Sequence, residues 1–171
     1  GAETHTTISS VADGAFDNDL EALAEIRRLV GFLPSHNAAG LPQLPRHDDP
    51  ARTTPALDSL IPENANMPYD MRELVTSLAD HADFFELQED FAKNILTGFV
   101  RLNGSPVGVV ANQPMVLAGC LDIDSSRKAA RFVRFCDAFN SPILTLVDGP
   151  GVMPGTAQED GGIITHGAKL L

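Results

Sequence analysis

Cysteine and histidine are scarce in this sequence, and neither forms a recognisable ligand set. Cys120 and Cys136 are the only cysteines and belong to no C-x-x-C pair. We therefore expect two reduced packing residues rather than a disulfide framework or a zinc knuckle. The histidines, at positions 5, 36, 47, 81 and 166, follow neither H-E-x-x-H nor another ligand spacing. The sequence predicts no metal site.

Basic residues are also few. Twelve Lys and Arg stand against 23 Asp and Glu, which gives a formal charge of −11. Such a chain lacks the positive surface that neutralises phosphates, so we expect neither nucleic acid nor an anionic membrane as a partner. No apolar run approaches the roughly 18 residues of a membrane span, and GAETHTTISS lacks the basic flank and apolar core of a signal peptide. These absences favour an intracellular protein, with the bacterial cytoplasm expected and the mitochondrial matrix as the alternative.

The common motifs of nucleophilic and nucleotide-binding sites are missing too. No G-x-S-x-G is present, and Cys136 falls on the apolar face of a predicted helix. The glycines within 149–155 are spaced one residue too widely for the dinucleotide fingerprint, and no G-K-[ST] closes them as a P-loop. Asp148, Glu159 and Asp160 could form an acid/base pair, although turns and caps use acidic residues for local reasons. We assign no catalytic side chain.

The chain does contain enough apolar residues, 43% of 171, for a domain-sized core. Hydrophobic periodicity predicts one helix after a cap at Asp17 or Asn18 and another after a cap at Asp70. Their apolar stripes are Leu20, Leu23, Ile26, Val30 and Leu33 in the first, and Met71, Leu74, Val75 and Leu78 in the second. From about His36 to Pro68, prolines interrupt any period, which indicates a linker.

A third helix is predicted after a cap at Asp124 or Ser125. Its apolar face comprises Ala129, Phe132, Val133, Cys136 and Phe139. Its other face carries Arg127, Lys128, Arg131 and Arg134, as is usual for the solvated side of a helix. A further helix begins in IITHGAKLL, at 163–171.

Two strands are predicted around Asn103-Gly104, a dipeptide favoured in type I′ hairpin turns, because β-branched and aromatic runs flank it. A later run, ILTLV at 143–147, is typical of a strand covered on both faces, as in a parallel sheet. Directly after it, LVDGPGVMPGTAQEDGG at 146–162 contains two prolines and five glycines. Such a loop can present unshielded N–H groups to a developing negative charge, although Gly/Pro loops also occur as plain connections.

Five stretches carry a resemblance to a known family. They are GAETHTTISSVADGAFDND, PYDMRELV, FAKNILTGFVRLNGSPVGVVANQP, GCLDIDSSRKAARFVRFCDAFN and VDGPGVMPGTAQEDGGIITHGAKLL. Together they resemble the carboxyltransferase (β) subunit of biotin-dependent acyl-CoA carboxylases, most of all the propionyl-CoA carboxylase branch. The resemblance covers nearly the whole chain apart from the Pro-rich linker.

The resemblance implies an α/β, crotonase-like (ClpP/crotonase) fold of repeated β-β-α units, present here in part. Residues 1–45 would end the N-terminal carboxyltransferase domain, 46–66 would be the linker, and 67–171 would begin the C-terminal domain. The family's glycine-rich oxyanion segments, A-G-G and Y-G-G-A-Y, would fall outside these 171 residues. We therefore expect this fragment to be inactive alone.

The resemblance also implies the reaction: a carboxyl group moves from carboxybiotin to propionyl-CoA or acetyl-CoA. Biotin would be carried by a partner (α) subunit with biotin carboxylase and carrier domains, and the β subunits would form a hexameric core. Two alternatives stay open. One is a non-catalytic scaffold or assembly fragment, and the other is a subunit of a biotin-dependent malonyl- or methylmalonyl-CoA decarboxylase.

The resemblance places a biotin- and substrate-facing pocket at two segments. The expected pocket residues are Asn112, Gln113, Pro114, Pro150, Gly151, Val152, Pro154 and Gly155. The family's loop reads V-D-V-P-G-F-L-P-G-T-A/D-Q-E-Y-G-G, so Gly149 replaces Val, Val152 replaces Phe and Asp160 replaces Tyr. Losing two aromatic rings would soften the pocket wall, and we expect a change in acyl-chain preference.

Overall fold

A mixed four-stranded sheet organises the chain. The computed structural model describes residues 1–46, 48–64 and 66–171, so the linker positions His47 and Ala65 lie outside the described residues. The strands are β1 (Phe85–Leu87), β2 (Ile95–Leu102), β3 (Ser105–Asn112) and β4 (Ile143–Leu146), in the order β1-β2-β3-β4. The first three are antiparallel, and β4 runs parallel to β3. The parallel pairing predicted for β4 is confirmed.

Six α-helices accompany the sheet in the described residues. They are α1 (Ala2–Thr7), α2 (Asp19–Val30), α3 (Met71–Leu78), α4 (Ile123–Ala138), α5 (Thr156–Asp160) and α6 (Ile163–Ala168). The predicted caps of α2 and α3 are confirmed, because Asn18 accepts from Glu21 N–H and Asp70 accepts from Arg72 N–H. Each cap satisfies one of the N–H groups that a first helical turn leaves unpaired.

The core lies on both faces of the sheet, so the architecture has three layers. One face packs against α4 and Phe32, which stacks on Phe99 with ring centroids 5.5 Å apart. The other face packs against α3 through Met71 and Val75. Gly108 lets α4 approach closely, since a Cβ there would lie 2.6 Å from Cys136 Sγ. Cys136 is fully buried, as expected for a packing residue.

The hairpin between β2 and β3 forms as predicted. Leu102 pairs with Ser105, which leaves Asn103 and Gly104 as the two turn residues, with φ of 53° and 81°. Positive φ at both positions is what a type I′ turn requires. Asp80 also accepts hydrogen bonds from both N–H groups of the turn.

Two predictions about α4 are wrong. The helix begins two residues earlier than expected, because Asp122 caps it and forms a reciprocal capping box with Ser125. Lys128 is not on a solvated face: it is 2% exposed. Its Nζ donates to the carbonyls of Gln88, Phe91 and Ile95 at 2.8–2.9 Å. The partners lie more than thirty residues upstream, so local periodicity could not reveal them.

Several apolar surfaces remain uncovered within the described part of the chain. Leu20, Leu23 and Ile26 on the stripe of α2 are 79%, 61% and 56% exposed. The helix was predicted correctly, but only its last turn and the residues after it reach the core. Strand β4 was expected to be covered on both faces; instead it is an edge strand with Ile143 and Thr145 exposed.

The Pro-rich stretch is tied to its neighbours by side chain to backbone bonds. Arg101 donates to the carbonyls of Gly31 and Pro42. Arg52 donates to the carbonyls of Ser77 and Leu78 at the end of α3. The division into residues 1–45, 46–66 and 67–171 stays a prediction.

Candidate functional site

The two predicted site segments meet at one edge of the sheet. Because β3 and β4 are parallel neighbours, the segments that follow them leave from the same edge. Asn112 joins them: its Nδ2 donates to Gly119 O at 2.8 Å, and its Oδ1 accepts from Asp148 N–H at 3.2 Å. One asparagine therefore holds the start of the glycine-rich loop against the segment after β3.

Glycine is required where these segments touch. A Cβ on Gly149 would lie 2.5 Å from Gly119 O, and a Cβ on Gly119 would lie 2.5 Å from Asp148 O. Gly119 also has a positive φ of 73°, which favours glycine. The replacement of the family's valine by Gly149 therefore coincides with a backbone approach that leaves no room for a side chain.

Gln113 has a holding role in this site. It is 1% exposed, its Oε1 accepts from Met71 N–H at 3.2 Å, and its Nε2 donates to Asp70 at 2.6 Å. Its backbone N–H donates to Asn94 O. Because these polar atoms are engaged inside the protein, Gln113 ties β3 to α3 rather than offering a free amide to a ligand.

The glycine-rich loop itself presents backbone donors. Pro150, Val152, Pro154 and Gly155 are exposed. A short parallel bridge joins Val152 to Leu121. The N–H groups of Gly149, Gly151, Val152 and Gly155 have no acceptor among the described residues. In the described residues this loop therefore carries several N–H groups without an acceptor, and its role as a ligand pocket stays a prediction.

One of the three carboxylates considered for an acid/base pair, that of Asp148, is held by a distant tyrosine. Asp148 accepts a hydrogen bond of 2.6 Å from the hydroxyl of Tyr69, 79 residues earlier. Burial, with the Asp148 hydrogen bond and charge, raises the pKa of Tyr69 to about 12. Tyr69 is therefore a neutral donor near neutral pH. The sequence carried no signal for this contact, because neither residue belongs to a recognisable motif.

Further hydrogen bonds connect the segment after β3 to the turn at 88–95. Asn94, whose carbonyl holds Gln113, donates to Cys120 O at 2.8 Å. Asn94 belongs to the turn at 88–95 whose carbonyls bind Lys128. Burial lowers the pKa of Lys128 to about 8, while the charge of Glu86 opposes that shift. Sequence reasoning missed Lys128, although a lysine among Ala129, Ala130 and Phe132 is a signal that a cation lies close to the core.

Three cavities lie away from the loop. A cleft of about 730 Å³ runs between the segment before α2 and β1, and its lining includes Asp13, Arg28, Arg72 and Glu86. Two smaller cavities, of about 320 and 250 Å³, border α4. In the described residues, no group of three or more His, Cys, Asp or Glu could hold a metal ion. No described helix is long and apolar enough to cross a membrane.

Two of the positions that depart from the family's loop, Val152 and Asp160, are exposed. Val152 is 50% exposed, and Asp160 is exposed at the end of α5. No described residue packs an aromatic ring into their place. Their effect on acyl-chain preference stays a prediction.

Comparisons with known proteins identify the family. The carboxyl transferase domain family matches residues 1–171. The propionyl-CoA carboxylase beta chain of Cereibacter sphaeroides is 71% identical over 171 residues, which are 100% of this chain and 34% of that protein. The methylmalonyl-CoA decarboxylase subunit alpha of Veillonella parvula is 52% identical over 171 residues, again 100% of this chain and 34% of that protein.

A solved structure gives the same result. Transcarboxylase 12S, described as a hexamer assembly with hydrolysed methylmalonyl-coenzyme A bound, matches with a TM-score of 0.95 at 43% identity. The match covers 99% of this chain and 33% of that one. The chain thus spans about a third of the length of the proteins it matches. With its α/β, crotonase-like fold, this chain belongs to the carboxyl transferase domain family.

Proposed function

We propose that the protein containing this chain transfers a carboxyl group from carboxybiotin to an acyl-CoA, with propionyl-CoA as the substrate. The family match over residues 1–171 and the name of the 71% identical relative support the reaction and the substrate. The exposed donors at the edge formed by β3 and β4 support it chemically. Moving a carboxyl group through carbonyl compounds builds negative charge on oxygen, which fixed N–H groups stabilise.

The observation that carries the proposal is the tie made by Asn112. It fixes Gly119 and Asp148 together, so the loop that follows begins from a defined position. Preorganised donors cost no reorganisation when charge develops, and this is their advantage over water. Carboxybiotin, when bound, supplies the carboxyl group. This chain would supply backbone N–H donors from 149–155 and no reactive side chain. Such donors suit a ligand that is recognised through hydrogen bonds to its carbonyl oxygen.

The remaining features of the proposal concern cofactor and assembly. Biotin would arrive on a carrier domain of a partner subunit that also contains biotin carboxylase, and the chain's protein would form a hexameric core. The descriptions of transcarboxylase 12S as a hexamer assembly, with hydrolysed methylmalonyl-coenzyme A bound in one structure and methylmalonyl-coenzyme A in another, support an oligomer that binds acyl-CoA. The bacterial cytoplasm is the proposed location, in keeping with the bacterial relative.

The test uses the full-length protein with its biotin-carrying partner. We expect propionyl-CoA to be carboxylated in the presence of ATP and bicarbonate. Asn112→Ala should lower kcat/KM at least about tenfold, because it releases the two loops. Asn37→Ala is the matched control, since Asn37 is exposed and its side chain makes no hydrogen bond with the described residues. An inactive wild-type complex, or an Asn112→Ala variant with unchanged activity, would contradict the proposal.

A decarboxylase is the second candidate, because the Veillonella parvula relative bears that name at 52% identity. The two functions differ in whether they require ATP and bicarbonate. A decarboxylase would release carbon dioxide from methylmalonyl-CoA without ATP or bicarbonate, whereas the carboxylase requires both. Measuring both directions on the same preparation decides between them.

A further inference from the structure

Two consecutive residues before α3 hold both strands that carry the site. Tyr69 donates its hydroxyl to Asp148, which follows β4, and Asp70 accepts from Gln113, which follows β3; both distances are 2.6 Å. Asp70 also caps α3 by accepting from Arg72 N–H at 2.9 Å. A single dipeptide thus connects the start of a helix to the ends of two neighbouring strands.

The ring of Tyr69 is held in place by packing. It packs against the core cluster that contains Met71, Val75 and Leu96. The hydroxyl at the end of the ring is therefore directed by the core rather than by a flexible side chain. Because the pKa of Tyr69 is raised to about 12, the hydroxyl keeps the proton that it donates at any pH at which enzymes of this kind are assayed.

The Tyr69 hydroxyl fixes the position of the Asp148 side chain. Its N–H is held by Asn112, its carbonyl abuts Gly119, and its carboxylate is held by Tyr69. The next residue is Gly149, which contributes no side chain of its own. The path of 149–155 therefore begins from Asp148, and hydrogen bonds to a charged acceptor are among the stronger ones.

We propose that Tyr69 is a positioning residue, which through Asp148 holds the loop at 149–155 in place for the transfer reaction. This inference rests on the proposed function for its catalytic consequence. Its structural part, the order of the loop, is measurable without any activity. Tyr69 contacts none of the reacting groups in this proposal, and its effect reaches the reaction only through the loop.

The experiment compares Tyr69→Phe, Asp148→Ala and the double variant of the full-length protein by hydrogen exchange and steady-state kinetics; alanine is used because an asparagine could still accept from the Tyr69 hydroxyl. Phenylalanine keeps the packed ring and removes only the hydroxyl. We expect exchange to accelerate about tenfold in each single variant at Asp148 and Met153, whose N–H groups donate to Asn112 Oδ1 and Leu121 O. The double variant should show no further acceleration, because both changes break the same bond. Exchange in β2 should not change.

Kinetics distinguish positioning from general stability. We expect kcat to fall about tenfold in Tyr69→Phe, with KM for propionyl-CoA within about twofold. Ser77→Ala is the matched control, because it removes a hydroxyl of α3 whose one partner in the described part of the chain is Glu73 O. Its loop exchange and kcat should equal those of the wild type.

Three outcomes would overturn the inference. Unchanged exchange at Asp148 and Met153 would show that Tyr69 does not hold the loop. Faster exchange with unchanged kcat would show that the loop's order does not serve the reaction. Acceleration that adds up in the double variant would show that the two residues act separately. An inactive wild-type enzyme would instead refute the proposed function, and the exchange data would still decide whether Tyr69 holds the loop.

Discussion

Replacing Lys128 by methionine removes a buried ammonium group while keeping an unbranched side chain of similar length. The ammonium donates to Gln88 O, Phe91 O and Ile95 O at 2.9, 2.8 and 2.9 Å. Each buried acceptor left without a partner costs about 1–3 kcal/mol, and methionine recovers part of this by not burying a charge. We expect Lys128→Met to lower the free energy of unfolding by about 3 kcal/mol at pH 7.

The pH dependence tests the physical reason. Burial lowers the pKa of Lys128 from 10.5 to about 8. Between those two values the folded protein has released this proton and the unfolded chain still binds it, so the wild type gains stability as pH rises. The gain is absent below pH 8 and reaches about 3 kcal/mol near pH 10.5. The stability difference between wild type and Lys128→Met should therefore widen over that interval.

The assay is urea unfolding of both proteins from pH 7 to pH 10.5, followed by circular dichroism. Lys93→Met is the matched control: Lys93 lies in the same turn, is 53% exposed and, among the described residues, forms an ion pair with Asp90 alone, so its removal should change stability by less than about 1 kcal/mol. A difference at pH 7 below about 1 kcal/mol would refute the role of the carbonyl contacts. A difference that narrows with rising pH would refute the assignment of the shift to burial.

Two further predictions concern the site and its support. Gly149→Ala should destabilise the protein by about 2 kcal/mol, because its Cβ would meet Gly119 O at 2.5 Å. Thermal unfolding measures this change. Gly167→Ala is the control, because a Cβ at Gly167 would point into open space, and we expect it not to lower stability. Arg72→Gln leaves the carboxylate of Glu86, which is 9% exposed, without the ion pair of 2.6 Å. Burial raises the pKa of Glu86, and Arg72 opposes that rise. Without Arg72 we expect the pKa of Glu86 to rise further and the free energy of unfolding above neutral pH to fall by about 3 kcal/mol. NMR titration of Glu86 and urea unfolding measure the two effects, and no change in either would refute the prediction.

The sequence predicted the elements whose signals are local. The caps at Asn18 and Asp70 and the turn at Asn103-Gly104 each depend on residues within four positions of one another, and the structure confirms all three. The cap of α4 was placed at Asp124 or Ser125 instead of Asp122 because three candidate residues lie within four positions. Only the reciprocal bonds between Asp122 and Ser125 decide among them.

Exposure and long-range contacts could not be predicted from local pattern. A stripe of Leu20, Leu23 and Ile26 predicts a helix whether or not anything covers it, and here the described residues leave it exposed. Lys128 has the spacing of a solvated residue, but a turn brought close by the sheet supplies its acceptors. The site segments were found through the resemblance to a family, not through chemistry visible in the residues.

The same kind of contact explains why the site needs so few reactive side chains. Asn112 bonds to one backbone donor and one backbone acceptor, Asn94 bonds to Cys120 O, and Gln158 accepts from Ile123 N–H. Each is an amide side chain that bonds to backbone groups outside the ladders of the sheet. A loop whose ends are held in this way can remain rich in glycine and proline between them, as the close approach of Gly149 to Gly119 requires. The polar side chains of this edge thus position the backbone of the loop.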